Sequence, residues 1–448
     1  MSVAADRWRA VRDQPWQARL GIAALLLAAL TAVTDLPQPL QSSTAAAAAL
    51  LALLAMGGRP WRELRQHPLP WLILLMALYS LVHAAVVAQP LPGQGYARQL
   101  TLDADPLKVL VYALAFGWWL ARYPRWILPV LKLLALGWAL WLLVQMPWAQ
   151  VDALAAATLR LRLGYAENLT GAFAALVLLI ALHGAWLCCR GPQEVPLRGL
   201  RGDGWVLLSL AALLVLLFAQ SRGAWLAAAV GTVLLVTMGR APAAAATRPV
   251  PAGWRRLLPG FAVLLLVPVL GWYLARPAVL QRFDGGTVAA LTVLQGGPVS
   301  AAAPSVGLRL ELWRFALDEI ARRPLFGWGL ASIHPQLVAH GIEWQGYVPP
   351  HLHDTPLQVA MGMGLLGLLL VAAAFLLPLR DVWRAWRRAS RRRGVLALIL
   401  ALGAVLLVVN LFDYLSWSNG YMRGPLEIVL GCAVAVSLRM RRGEPEPA

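Results

Sequence analysis

Leu308–Gly329, LRLELWRFALDEIARRPLFGWG, is followed shortly by Val348–Leu370, VPPHLHDTPLQVAMGMGLLGLLL. A charged amphipathic segment thus stands before two histidines, and the histidines stand directly before a long apolar run. Crossing the hydrocarbon of a bilayer takes about 20 mainly apolar residues, so the run reads as a membrane helix and the His-Leu-His stretch as its entry at the membrane surface. Comparable apolar windows fall at roughly 20–35, 44–57, 70–88, 106–121, 126–145, 169–189, 205–219, 223–238, 259–275, 355–379, 394–412 and 421–438. The expected fold is an all-α polytopic integral membrane protein of about twelve transmembrane helices, with one long outward loop between the ninth and the tenth. Residues 1–275 then hold helices one to nine, 276–353 the loop domain, and 354–448 helices ten to twelve with a short tail.

Composition agrees with this reading. Of 448 residues 60% are hydrophobic and only 13% charged, at a mean hydropathy of +0.64, which no soluble fold of this length needs. A formal charge of +18 would point to nucleic acid in a soluble protein, but membrane proteins collect basic residues in their cytoplasmic connectors. The arginines behave in this way. With the N-terminus inside, the inward connectors carry Arg7, Arg9, Arg12 and Arg19, then Arg59, Arg62 and Arg65, and so on through seven arginines from Arg380 to Arg393. The outward set carries Asp35, Asp103, Asp105, Asp152 and Asp413. Both termini are therefore expected in the cytoplasm and residues 276–353 on the outer face. The basic N-terminus precedes an apolar run longer than a signal h-region and reads as a retained first span. Cys188, Cys189 and Cys432 have no ligand-spaced partners and read as packing residues. Residues Pro242–Gly253 read as a cytoplasmic linker.

Within the outer segment, Gly307–Arg323 has helical periodicity, with Leu308, Leu312 and Phe315 on one stripe widened by Trp313, Ala316 and Ile320. On its other side Arg314–Asp318, Asp318–Arg322 and Glu319–Arg323 have the spacing of an ion-pair ladder. Arg309 has no acid at its helical neighbour positions and gains nothing from a helix N-terminal dipole, so it answers either an external anion or a distant carboxylate. Arg222, in the tight outward turn FAQSRGAW, also lacks a local acid; it either snorkels to headgroups or lines a site. In HLHDTPLQ, Thr355 reads as an N-cap with Pro356 first in the helix and Gln358 closing a capping box. His353 is then held just outside a helix N-terminus, where the dipole disfavours imidazolium and leaves the ring a base near neutral pH.

Other motifs point to chemistry less directly. Asp103-Ala104-Asp105 is formally a metal-binding DxD, yet Asp105 before Pro106 is also an ordinary helix cap. His334, His340, His351 and His353 lack compact zinc-ligand spacing. Asn168-Leu169-Thr170 is a formal glycosylation sequon at a span edge, read as incidental. Outward arginines, a neutral histidine and no convincing metal motif suit group transfer from a lipid diphosphate: arginine stabilises the departing diphosphate and histidine takes the proton of the attacking hydroxyl.

These residues resemble the O-antigen ligase and polymerase superfamily. The resemblance lies in SRGAW at Ser221–Trp225, in the segment with Arg309, Trp313, Pro324, Gly327 and Gly329, and in HLHDTPLQVAMGMGLLG with His353 and Gly364. YAENLTG around Asn168 is similar to the family's earlier outward turn, and Asp354 departs from the asparagine more usual there. The resemblance implies a cofactor-free, metal-independent inverting glycosyltransferase of the bacterial inner membrane with a periplasmic site. Its donor is undecaprenyl-diphosphate-linked O-antigen, its acceptor lipid A–core, and nucleic acid has no part. By position, His353 activates the acceptor and Arg222 and Arg309 hold the diphosphate, with Arg160, Arg162, His351 and Trp313 as further donor or acceptor contacts. The ending at EPEPA favours a ligase over a protein O-oligosaccharyltransferase. An O-antigen polymerase is the nearest alternative, and a non-enzymatic transporter of lipid-linked glycan, which would not need His353, is the alternative of a different class.

Overall fold

The computed structural model describes residues 15–34, 38–57, 64–87, 95–155, 159–190, 202–239, 304–343, 346–389, 393–414 and 422–443. Among the described residues every regular element is helical and no strand occurs. In chain order the helices are α1 (Trp16–Thr31), α2 (Gln38–Ala55), α3 (Pro68–Val87), α4 (Tyr96–Asp103), α5 (Asp105–Arg122), α6 (Ile127–Gln145), α7 (Val151–Ala155) and α8 (Glu167–Arg190). There follow α9 (Gly202–Ala219), α10 (Arg222–Gly239), α11 (Pro304–Arg322), α12 (Ile333–Ala339), α13 (Thr355–Arg388), α14 (Arg393–Leu411) and α15 (Arg423–Arg441).

Seven of these helices are long and apolar enough to cross a membrane, and the chain is a multi-pass membrane protein. The apolar windows coincide with helices wherever the structure describes them; the ninth, at 259–275, lies outside the described residues, as do the linker Pro242–Gly253 and positions 276–303. Helix α8 is the central post, 83% of its apolar window being buried, with α6, α9, α10 and α14 packed around it. Helices α5 and α15 pair along their lengths. Among the cysteines, Cys432 is buried in α15 and Cys188 half-buried in α8, both as free thiols.

Helix α13 organises the part that concerns function. Its 34 residues span about 51 Å at 1.5 Å each, more than the roughly 30 Å of hydrocarbon. It is not one straight rod: Gly364 takes φ 68° and ψ 178°, breaking the helix into an N-terminal and a C-terminal part. Only glycine tolerates this conformation here, because a Cβ on Gly364 would come to 2.0 Å from the Leu325 carbonyl oxygen. Helix α11 is amphipathic as its sequence predicts, with Leu312 and Ala316 fully buried and Leu317 exposed. It packs on α13.

Three local expectations are corrected. The cap of α13 is Asp354, whose carboxylate accepts from Leu357 N–H at 2.7 Å, while Thr355 is the first helical residue and donates its hydroxyl to Asn410 Oδ1 at 2.8 Å. An aspartate one residue earlier competes successfully because it accepts more strongly than a threonine hydroxyl. The ladder on α11 does not form as spaced: Arg322 pairs with Glu319 and Arg323 lies over the Trp328 ring at 3.9 Å. In the DxD, Asp103 is fully buried against His83, whereas Asp105 is the first residue of α5, not its cap, and pairs with Lys108. The two carboxylates thus serve different helices and form no common metal site.

Candidate functional site

His353 precedes the Asp354 cap in the left-handed region, at φ 52°. For a non-glycine residue this is a strained placement. Among the described residues one other non-glycine residue shares it, Gln220 at φ 50° in the turn before α10. Both flank the same site. Trp313 of α11 secures the His-Leu-His stretch by donating its indole N–H to the Leu352 carbonyl at 3.2 Å, and Gln358 accepts from Leu352 N–H at 2.9 Å.

The strained turn aims the His353 ring at Asp413, just past the end of α14, with Nδ1 2.9 Å from Oδ1. Asn168, at the start of α8, donates to the other oxygen, Oδ2, at 2.8 Å. The Tyr414 backbone N–H also donates to Oδ1 at 2.9 Å. An acceptor against Nδ1 fixes the tautomer with its proton there and leaves Nε2 as the basic nitrogen. Burial would raise the Asp413 carboxyl, but the hydrogen bond from His353 and the positive charges around it hold it well below the usual carboxylate range. His351 packs against the His353 ring, centroids 4.3 Å apart, and accepts at Nδ1 from His353 N–H. Burial foremost, then His353 and Arg309, depress His351 to about 4, so its ring is neutral at physiological pH. The Asp354 cap is pushed up to about 6 by burial, against the Leu357 N–H that favours its charge.

Asp413 lines a cavity of about 130 Å³ together with Arg222, Arg309, Arg160, Asn168 and Ser221. Arg309 is the sixth residue of α11, deeper in the helix than its sequence position suggests. Burial lowers its guanidinium pKa and the charge of Asp413 opposes that shift. Asp413 is the carboxylate that shares the cavity with Arg309, with no salt bridge between these two described residues. Arg222 opens α10 at the cavity edge. Arg160 braces the strained turn by donating to the carbonyls of Ala219 and Gln220 at 3.2 and 3.4 Å. Arg162 points outward, mostly exposed, and pairs with Glu167 at 2.8 Å.

The structure therefore brings Arg222, Arg309, His353, His351 and Trp313 together, with Arg160 as a bracing residue at the cavity wall and Arg162 at the periphery. Sequence reasoning missed two residues. Asp413 was noted only as an outward charge, although an acid at a span end facing two histidines was the available signal. Asn168 stands in the sequence only as a formal sequon and as part of a run similar to the family's earlier outward turn; its amide is the second support of Asp413. His351, His353 and Asp413 present ligand-type atoms within 4.8 Å of one another, but His353 Nδ1 and both Asp413 oxygens are already engaged by hydrogen bonds. His334 and His340 are held instead by the Pro349 and Gln336 carbonyls.

A membrane bundle carrying a His–Asp pair beside an arginine-lined cavity has, before any likeness is considered, the groups that a nucleophile and an anion would each call for. A family model described as O-antigen ligase matches residues 207–372. The match takes in Arg222, Arg309, His351 and His353, while Arg160, Asn168 and Asp413 lie outside it. A Rickettsia conorii protein that bears the name of a polysaccharide ligase is 32% identical over 77 residues, covering 16% of this chain and 18% of that protein's length.

Proposed function

We propose that the protein is an O-antigen ligase, transferring O-antigen polysaccharide from undecaprenyl diphosphate to a hydroxyl of lipid A–core at the periplasmic face of the inner membrane. The observation that carries the reading is the His353–Asp413 pair beside the Arg222 and Arg309 cavity. His353 Nε2 takes the proton of the acceptor hydroxyl as its oxygen attacks the anomeric carbon. The bond from that carbon to the diphosphate breaks, and its electron pair leaves with the diphosphate oxygen. Arg222 and Arg309 stabilise the charge that develops there, and Asp413 stabilises the imidazolium. Direct displacement inverts the anomeric centre. Each step uses protein side chains, and no cofactor is invoked. This reading puts the segment that contains α11 and α12 on the periplasmic side and both termini in the cytoplasm.

Deletion of the gene followed by gel analysis of surface polysaccharide tests this. Long polymer stranded on the lipid carrier supports a ligase; lipid A–core bearing a single repeat unit assigns a polymerase instead. Complementation with His353→Ala is expected to leave the defect intact while the protein inserts normally. Wild-type transfer by that variant would falsify the site. Chelator-sensitive activity of the purified protein would revive a metal at His351, His353 and Asp413.

A further inference from the structure

The break at Gly364 frees backbone groups of α13 that an unbroken helix would satisfy. A strap, Pro324–Gly329, takes them up. Trp328 N–H donates to Met361 O, Gly329 N–H to Gly362 O, and Leu365 N–H to Pro324 O, each at 2.8 Å. The strap fits closely: Gly327 has φ 67°, and a Cβ there would meet the Met361 oxygen at 2.5 Å. Tyr79 of α3 donates its hydroxyl to Met363 O in the break itself.

Behind the strap lies a buried polar pair outside the site already described. His83 of α3 places Nε2 2.7 Å from the Phe326 carbonyl oxygen of the strap and Nδ1 2.6 Å from Asp103 Oδ2, both side chains being 0% exposed. Gln99 donates to Asp103 Oδ1 at 2.7 Å and accepts from Ala331 N–H, just beyond the strap, at 3.0 Å. Both ring nitrogens of His83 therefore face oxygen acceptors, which requires two hydrogens across the two contacts. A neutral imidazole beside an ionised carboxylate supplies one. The pair satisfies both contacts as imidazolium with carboxylate or as imidazole with carboxylic acid. Burial pushes the Asp103 carboxyl up from its usual range, against the hydrogen bonds of His83 and Gln99.

We infer that His83 and Asp103 are positioning residues for transfer, clamping the strap into the α13 break so that the N-terminal part of the helix holds His353 against Asp413. The nine residues Thr355–Met363 form a lever of about 13 Å, so a swivel of about 5° at the break moves its far end by about 1 Å. A misplacement of that size is enough to cost about 10²-fold in rate. This effect on rate rests on the transfer reading above; the clamping does not.

The test compares Asp103→Asn, Asp103→Ala and His83→Ala in the full-length protein in detergent or nanodiscs. Asparagine accepts from Gln99 at Oδ1 and supplies the second hydrogen to His83 from Nδ2, so Asp103→Asn is expected to keep kcat within about threefold of wild type. The two alanine variants are expected to lose about tenfold or more in kcat with donor KM little changed. Their Trp328, Gly329 and Leu365 amides are expected to exchange about tenfold faster, while those of α8 and α10 keep their protection. Exchange reads the clamp even if the protein proves to have a different activity. Wild-type exchange at the three amides in both alanine variants overturns the inference. So does Asp103→Asn damage equal to that of alanine, which would assign the role to charge or a metal. Loss of protection spread evenly through the bundle would make the pair ordinary core packing.

Discussion

Two buried carboxylates at opposite ends of α13 are served in opposite ways. Asp381, in the C-terminal part, accepts from Ser437 and from Arg441 at 3.0 Å, with Arg380 and Arg384 at 3.4 and 3.6 Å. Ser437 is held in turn by His67. The charge of Asp381 is thus absorbed by protein cations. Asp413, beside the N-terminal end, receives neutral donors from Asn168 and Tyr414 and one ring hydrogen from His353. Among the described residues it forms no arginine salt bridge, although Arg309 and Arg222 line the cavity beside it. A carboxylate saturated by arginines holds helices together; one supported by neutral donors stays able to stabilise a charge that arises on its histidine.

The sharpest way to break this contrast is at Asp413. Asp413→Asn keeps the shape but removes the charge that offsets imidazolium, and transfer by the purified protein is expected to fall about 10²-fold or more. Activity close to wild type would make Asp413 a second structural acid like Asp381. Arg309→Ala is expected to lower kcat about 10²-fold, with Arg309→Lys recovering part of it because a point charge replaces a planar fork. Equal loss from both substitutions would sharpen the role to geometry; no loss would remove Arg309 from the site.

Asp381→Asn should act the other way round, on stability and not on chemistry. Its arginine partners are about a third to a half exposed, so the loss is expected near 1–2 kcal/mol, read by thermal unfolding in detergent. Transfer per folded molecule should be unchanged within about twofold. The smallest effect is at Asp354. Its folded pKa of about 6 lies above the unfolded value, so the native state binds more protons between the two and stability declines as pH rises from about 4 to about 6. Asp354→Asn caps equally well without that charge. Its unfolding temperature should be level or higher at neutral pH, and the decline across that window should disappear.

How much of this was legible beforehand follows from range. The apolar windows that fall on described residues matched helices because a membrane span is specified by its own residues, and the amphipathic stripe of α11 held for the same reason. Arg222, Arg309 and His353 could be singled out because each breaks a local rule, an arginine with no acid at its helical neighbour positions or a histidine at a helix start. The α11 ladder failed because exposed pairs are worth little beside Trp328 stacking and a buried Glu319.

What the sequence by itself determined is the helical membrane architecture and which residues carry charge without a local partner. Only the tertiary structure decided who answers them. Asp413 meets His353 across 60 residues and Asn168 across 245, and His83 reaches the Phe326 carbonyl across 243. Contacts at such separations leave no periodicity to read. They exist because the packed bundle removes water from these polar groups, and each must then find its partner in another helix.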